Sequence, residues 1–247
     1  MLRMLRLSRK VHAPLILLSL VALAVPTARA QQPAAGGAAV QNTLNRTADA
    51  ILALKSTRFS LKREGTPAFL DEKNGITFTT ADCIYAAPDR VSCSVKVSLK
   101  GGNILQLTRV WVPEGTFQTN PLTKQWAKVP PDANFNGAVL FAKTGIPEIL
   151  RTGVQKAQVV GPEKLETLQA LHLKGEVRGD KLNPLIGTSL KPDAFYAVDL
   201  WIDEKPANPV QLHVAEGDGN GWLIEIAGFN EPVTVATPQL PPPPAGR

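Results

Sequence analysis

The sequence predicts an α+β fold in which one helix precedes a single long antiparallel β-sheet, and two short helical segments interrupt that sheet. Three observations predict it. Apolar residues recur at helical spacing from about Val40 to Lys55, the apolar period switches to two from Thr57 onward, and turn signals then arrive at short intervals. Closely spaced turns between period-two segments are the pattern of hairpin-connected strands.

Taken in order, Val40, Leu44, Ala48, Ile51 and Leu52 or Leu54 form the stripe of the first helix, with Asn45, Arg46 and Asp49 on its polar side. Asn74-Gly75 opens a strand over Ile76 to Ala86, and Ala87-Pro88-Asp89 turns the chain into Arg90 to Leu99. That strand alternates cleanly: Val91, Cys93, Val95, Val97 and Leu99 share one face, while Arg90, Ser92, Ser94, Lys96 and Ser98 share the other. One face is therefore buried and one wet. Gly101-Gly102-Asn103 reverses the chain into Ile104 to Val112, and Pro113-Glu114-Gly115 reverses it again.

Between Asn134 and Gln158 the pattern turns helical, first with Phe135, Val139 and Leu140, then with Ile146, Ile149, Leu150 and Val154. Pro147 suits the first turn of the second segment, where a missing N–H costs nothing. The sheet resumes at Leu171, Leu173 and Val177, followed by Phe195 to Asp203, Asn208 to Glu216 and Gly221 to Phe229. Asp218-Gly219-Asn220-Gly221 is the hairpin turn before that last strand. Roughly ten strands and two or three helices result. The segment Lys181 to Lys191 is irregular yet apolar, with Leu182, Leu185, Ile186 and Leu190 broken by Pro184 and Gly187. It reads either as a lid over a cavity mouth or as a loop tucked on the core.

The first thirty residues read as a cleaved signal peptide. Arg3, Arg6, Arg9 and Lys10 precede the apolar run Leu15 to Val25 and then Ala28-Arg29-Ala30, so cleavage is expected before Gln31. The run is about eleven residues, short of the roughly twenty that span a bilayer. Five of the 27 Lys/Arg and none of the 21 Asp/Glu fall in this leader, so the remaining chain carries a net +1 rather than +6. A nearly neutral chain with no basic, aromatic-interleaved run is not built for nucleic acid. The expected division is 31–39 as a flexible segment, 40–237 as one domain, and 238–247 as a Pro-rich disordered tail.

Export gives the two cysteines a meaning, because an oxidising compartment permits a disulfide. Residue 88 lies midway between Cys83 and Cys93, so a hairpin folded there sets them opposite each other, and a bond is expected. A metal or redox pair is the rival, and it lacks CxxC spacing and a nearby histidine.

No residue pattern points to catalysis. His172 and His213 each lie on the polar side of a predicted strand, where an exposed strand histidine is the ordinary outcome, and no serine sits in a GxSxG elbow. The histidines are too far apart for HExxH, Asp203-Glu204 sits beside Lys205-Pro206 as a turn, and Gly217, Gly219 and Gly221 precede no helix. No catalytic residue, metal site or cofactor is expected.

Three stretches together resemble the LppX/LprAFG family of mycobacterial cell-envelope lipoproteins, which share a fold with LolA-type lipoprotein carriers. The first is Ala86-Ala87-Pro88-Asp89-Arg90-Val91, then Val110-Trp111-Val112 and Gln125-Trp126. The second is Gly137-Ala138-Val139-Leu140-Phe141 with Gly145-Ile146-Pro147-Glu148-Ile149-Leu150, leading to Val159-Val160-Gly161. The third is Ala197-Val198-Asp199-Leu200-Trp201-Ile202-Asp203, then Pro209-Val210-Gln211-Leu212, Trp222 and Phe229-Asn230-Glu231-Pro232-Val233.

The resemblance runs from about residue 40 to 238. It implies a LolA-like half-barrel: a curved antiparallel sheet whose concave face holds helices and encloses a hydrophobic cavity. The cargo it implies is an acylated lipid or lipoglycan moved across the envelope, with transient contact to membranes or an envelope transporter, and it brings no catalytic residues. The relatives carry a lipidated cysteine just after the signal peptide. Here Gln31 follows Ala30 and no cysteine precedes Cys83, so a soluble extracytoplasmic shuttle is expected, in the periplasm, cell envelope or medium.

Acyl-chain binding needs a continuous apolar lining, and each buried methylene is worth about 0.8 kcal/mol. Val91, Val95, Val97, Leu105, Leu107, Leu171 and Leu173 on strands, with Ile149, Leu150 and Val154 on a helix, are the candidate lining. Ordinary core packing is the alternative for each, and because Ile104, Val110 and Val112 alternate with Leu105 and Leu107, the facing of that strand stays open. Two other classes compete with the carrier: a protein-binding or envelope-sensor module with a filled core, and a hydrolase with an unrecognised site.

Overall fold

The computed structural model describes residues 34–130, 137–166, 168–186 and 190–242. The expected signal peptide, Phe135 and the last five residues of the Pro-rich tail lie outside the described residues. Helix α1 spans Ala34–Leu52 and buries Val40, Leu44, Ala48 and Ile51. It starts inside the stretch expected to be flexible, because Ala34, Ala35, Ala38 and Ala39 are the strongest helix formers and carry the helix back from its apolar stripe.

Twelve strands follow. The first seven are β1 (Ser56–Glu64), β2 (Ala68–Asp71), β3 (Ile76–Ala86), β4 (Arg90–Ser98), β5 (Ile104–Val112), β6 (Gly115–Thr119) and β7 (Trp126–Val129). After the helical insertion come β8 (Gln155–Leu165), β9 (Leu168–Arg178), β10 (Phe195–Asp203), β11 (Asn208–Gly217) and β12 (Asn220–Ala227). All pair antiparallel in one open sheet of order β7-β6-β5-β4-β3-β1-β12-β11-β10-β9-β8, with β2 added beside β3. The sheet therefore consists of two meanders joined where β1 meets β12.

Sequence alternation and observed burial agree where both faces are distinct. Phe59, Leu61, Cys83, Tyr85, Val91, Cys93, Val198, Leu200, Trp222, Ile224 and Ile226 build the main core with α1 and the helical insertion, on the concave face. Val110, Val112 and Phe117 face the other way and are capped by Val235 from the C-terminal segment. Arg90 holds that segment by donating from Nη1 to the Val235 carbonyl at 3.3 Å, and Thr237 donates to Glu114 at 3.1 Å.

Two expectations need correction. The helical pattern does not run to Gln158: β8 begins at Gln155, and Gly153 ends the preceding turn. As the outermost strand β8 leaves Val159 and Val160 exposed, so it carries no alternation to betray it. The other is the strand count, raised from roughly ten to twelve among the described residues, mainly by the four-residue strands β2 and β7, which are too short for a period.

Cys83 and Cys93 stand directly opposed in the β3–β4 register and are bonded, with Cα atoms 4.1 Å apart. Both side chains belong to the main core. Replacing both with alanine removes a short-loop crosslink worth about 2–3 kcal/mol. The expected outcome is a melting temperature lower by about 5–10 °C in calorimetry.

Candidate functional site

The concave face is covered by three helical pieces. Gly145 precedes α2 (Ile146–Glu148), and Pro147 occupies its first turn as the sequence predicts. A Cβ on residue 145 would lie 1.9 Å from the Val139 carbonyl oxygen, so only glycine lets the chain turn there. A π-helical turn, Ile149–Gly153, continues α2 and buries Ile149 and Leu150. Gln41 on α1 pins it by donating from Nε2 to the carbonyls of Leu150 (3.2 Å) and Arg151 (3.1 Å), and Arg151 pairs with Asp49.

The third piece corrects the reading of 181–191 as irregular over its first six residues, while Gly187, the second expected break, lies outside the described residues. Residues Gly179–Ile186 form helix α3, with Pro184 inside it. The proline is tolerated because the helix has only eight residues and is stapled at its first residue and just before Pro184. Gly179 N–H bonds the Ala194 carbonyl at 2.9 Å, and the Asn183 amide exchanges two bonds with Leu190, at 3.0 and 2.7 Å. Gly179 is obligatory here, since a Cβ would lie 2.2 Å from the Lys191 carbonyl oxygen. Leu182, Leu185, Ile186 and Leu190 are all buried.

Two apolar cavities lie between these helices and the sheet. The first, about 30 Å³, is lined by Leu44 of α1, by Ile149, Leu150 and Val154, by Leu173 and Val177 of β9, by Leu182 and Leu185 of α3, and by Leu200, Leu212 and Ile226. The second, about 80 Å³, is lined by Phe59, Leu61, Leu70, Phe78, Ala81, Cys83, Cys93, Val95, Arg109, Trp111, Ile186 and Trp222. Helix α3 contributes to both walls.

The predicted lining thus divides. Ile149, Leu150, Val154 and Leu173 meet at the first cavity, and Val95 reaches the second. Val91 and Val97 are buried but line neither, and Leu171 packs on the core from its edge. Leu105 and Leu107 pair with Val97 and Val95, which resolves their facing toward the concave side, where they stay half-buried. Of the lid candidates, Leu182 and Leu185 face the first cavity, Ile186 the second, and Leu190 the core.

Sequence reasoning passed over Arg109. It shares the parity of Leu105, Leu107 and Trp111 on β5, which was the available signal. Its guanidinium carbon lies 5.3 Å from the centre of the Trp111 ring, and its buried Nε has no hydrogen-bond partner. Burial holds its pKa below the usual arginine value.

On the outer face His172 departs from the exposed histidine expected of its strand position: it is 6% exposed. Its ring stacks on Trp201 at 4.4 Å, and Nε2 meets Asp199 Oδ1 at 2.7 Å. Nδ1 lies 2.9 Å from Glu163 Oε2 but outside hydrogen-bonding geometry, and the Trp201 indole donates to that same oxygen at 3.0 Å. The cluster ties the edge strand β8 to β9 and β10. Among the described residues no three His, Cys, Asp or Glu side chains form a metal-binding group, and no helix is long and apolar enough to cross a membrane.

Residues 39–235 match the LppX_LprAFG lipoprotein family. The fold is similar to that of LprF from Mycobacterium bovis, with a TM-score of 0.65 and 14% identity over 85% of this chain and 98% of that one. LppX from Mycobacterium tuberculosis is similar with a TM-score of 0.58 and 16% identity, over 81% of this chain and 99% of that one. Among curated proteins none matches the chain in sequence.

Because Leu185 is buried at 2% exposure on the wall of the first cavity, Leu185→Ala enlarges a space already there and is expected to cost about 2–4 kcal/mol. A urea titration should show a lower midpoint at unchanged slope.

Proposed function

Because the chain belongs to the LppX/LprAFG lipoprotein family, we propose that it is an exported, non-enzymatic carrier that binds an acylated lipid or lipoglycan and moves it across the cell envelope. The ligand's acyl part lies between the concave sheet face and the helices. The observation that carries this reading is the position of α3, whose Leu182 and Leu185 line one apolar cavity while Ile186 lines the other. Moving that one short helix outward opens a continuous apolar trough from Leu44 to Trp222.

Magnitudes set the terms of binding. A water occupies about 30 Å³ of liquid, so cavities of about 30 and 80 Å³ are too small for an acyl chain unless α3 shifts. Uncovering Leu182, Leu185, Ile186 and Leu190 costs about 8 kcal/mol at roughly 2 kcal/mol per side chain. At about 0.8 kcal/mol per methylene, a chain of roughly ten methylenes offsets it. Short-chain ligands therefore bind weakly, and long ones tightly.

The small cavity volumes are also the one observation that favours a second reading, a protein-binding or sensor module whose core stays filled. The two separate in native mass spectrometry of the exported protein purified without detergent, followed by extraction and lipid identification. The expected result is a stoichiometric acylated lipid, with uptake weakened about tenfold or more in Val154→Trp, where a half-buried wall residue fills the first cavity. A bare protein mass that persists after incubation with envelope lipids would overturn the carrier in favour of the module. The N-terminus of the same preparation is expected at Gln31.

A further inference from the structure

The concave face holds two arginines against tryptophan rings, and they differ in one respect. The Arg63 guanidinium lies 5.1 Å from the Trp222 ring and pairs with Glu216 at 2.7 Å. Glu216 in turn accepts from the Trp222 indole at 2.7 Å, so charge and donors are both answered. Arg109 lies over Trp111 in the same way, yet among the described residues it has no carboxylate and no hydrogen-bond acceptor.

Its surroundings make that unusual. The neighbours across the strands are Cys93 and Gln118, and every other residue around the second cavity is apolar. The buried Nε of Arg109 makes no hydrogen bond, and a cation over one aromatic face recovers only part of what burial without a counter-ion costs. Burial lowers the pKa of Arg109, the mark of desolvation without compensation, although an arginine stays charged. The planar fork of an arginine matches a carboxylate or phosphate with two parallel bonds.

Position supplies the rest. Leu70 is exposed and Val95 and Arg109 are half-buried, whereas the remaining lining residues are buried, so the cavity opens on the side of Arg109. The cation sits at the mouth and the hydrocarbon wall behind it. That is the polarity of an anionic amphiphile with its head outward.

We propose that Arg109 receives the anionic head of the ligand, a carboxylate or phosphate, at the mouth of the second cavity while the acyl chain runs inward past Trp222 and Ile186. This rests on the carrier reading and adds to it a charge requirement and an orientation. Uncharged esters of the same chain length bind the same apolar wall but lose the pairing.

The test measures binding of oleate, methyl oleate and inorganic phosphate through the quenching of tryptophan fluorescence, since Trp111 and Trp222 line the cavity. The protein is the exported chain stripped of copurified lipid. Oleate is expected to bind about tenfold or more tighter than methyl oleate. Arg109→Met should remove that preference by weakening oleate alone, and Arg109→Lys, which keeps the charge, should retain part of it. Equal affinity of the two ligands in the unmodified protein, or a preference that survives Arg109→Met, overturns the proposal and leaves the carrier standing. Competition by inorganic phosphate as strong as by oleate overturns it in favour of a free-anion site. Binding of neither amphiphile overturns the carrier reading and this proposal together. Circular dichroism of each variant shows that the fold is kept, and should Arg109→Met not fold, loss of the preference in Arg109→Gln serves in its place.

Discussion

Everything else in the structure depends on the pairing of β1 with β12. Without it the chain is two antiparallel meanders, β1 to β7 and β8 to β12, each with one apolar face and an open edge. Seven residues of β1 pair with β12, from Arg58↔Ala227 to Glu64↔Gly221, and convert two exposed edges into the middle of one sheet. The seam is locked at both ends. At one end Thr57 donates to the Ala227 carbonyl at 2.8 Å, Asn230 N–H bonds the Ser56 carbonyl at 2.8 Å, and Lys55 N–H bonds the Asn230 side chain at 2.8 Å. At the other end stands the Arg63, Glu216 and Trp222 cluster, where charge is admitted to the inner face because it is fully paired.

A sheet this wide with one apolar face has to be covered, and the sequence covers it from an insertion between the two meanders and from the leading helix. Outer-face apolar residues are dealt with separately: Val110, Val112 and Phe117 lie under Val235 of the C-terminal segment, and Trp201 lies against His172. On the concave side the apolar packing beneath the helices is incomplete. Both apolar cavities described above lie there, on either side of α3.

How much of this the sequence disclosed depends on whether a residue's environment was local. The alternation of β4, the turn that sets Cys83 opposite Cys93 and the Pro147 helix start all follow from neighbours in the chain, and each is where the periodicity put it. Helix α3 was hidden by Pro184, which reads as a break unless later groups such as Ala194 and Leu190 hold Gly179 and Asn183 in place. Strand β8 was hidden because an outermost strand has no buried face to write a period. His172 reads as exposed until Trp201, twenty-nine residues away, covers it, and Arg109 draws notice only once its face is known and its Nε is seen to lack a partner.

On the proposed carrier reading a nearly closed core needs one element to yield, and the helices differ in what yielding costs them. Helix α1 is nineteen residues long, buries five side chains of its own stripe and the residues after it, and is bonded to the π turn through Gln41 and Arg151. Its departure would break polar contacts in a second element. The bonds that shape α3 instead close within residues 178–196: Gly179 to Ala194, Asp180 to Pro192, Asn183 to Leu190 and Lys191 to Tyr196. Outside that segment its polar tie among the described residues is the exposed Lys181–Glu148 pair at 3.2 Å, which is worth little. On the proposed reading α3 is therefore the element that yields, because among the described residues it is held mainly by apolar contact. Apolar contact is the one currency that an acyl chain returns in kind.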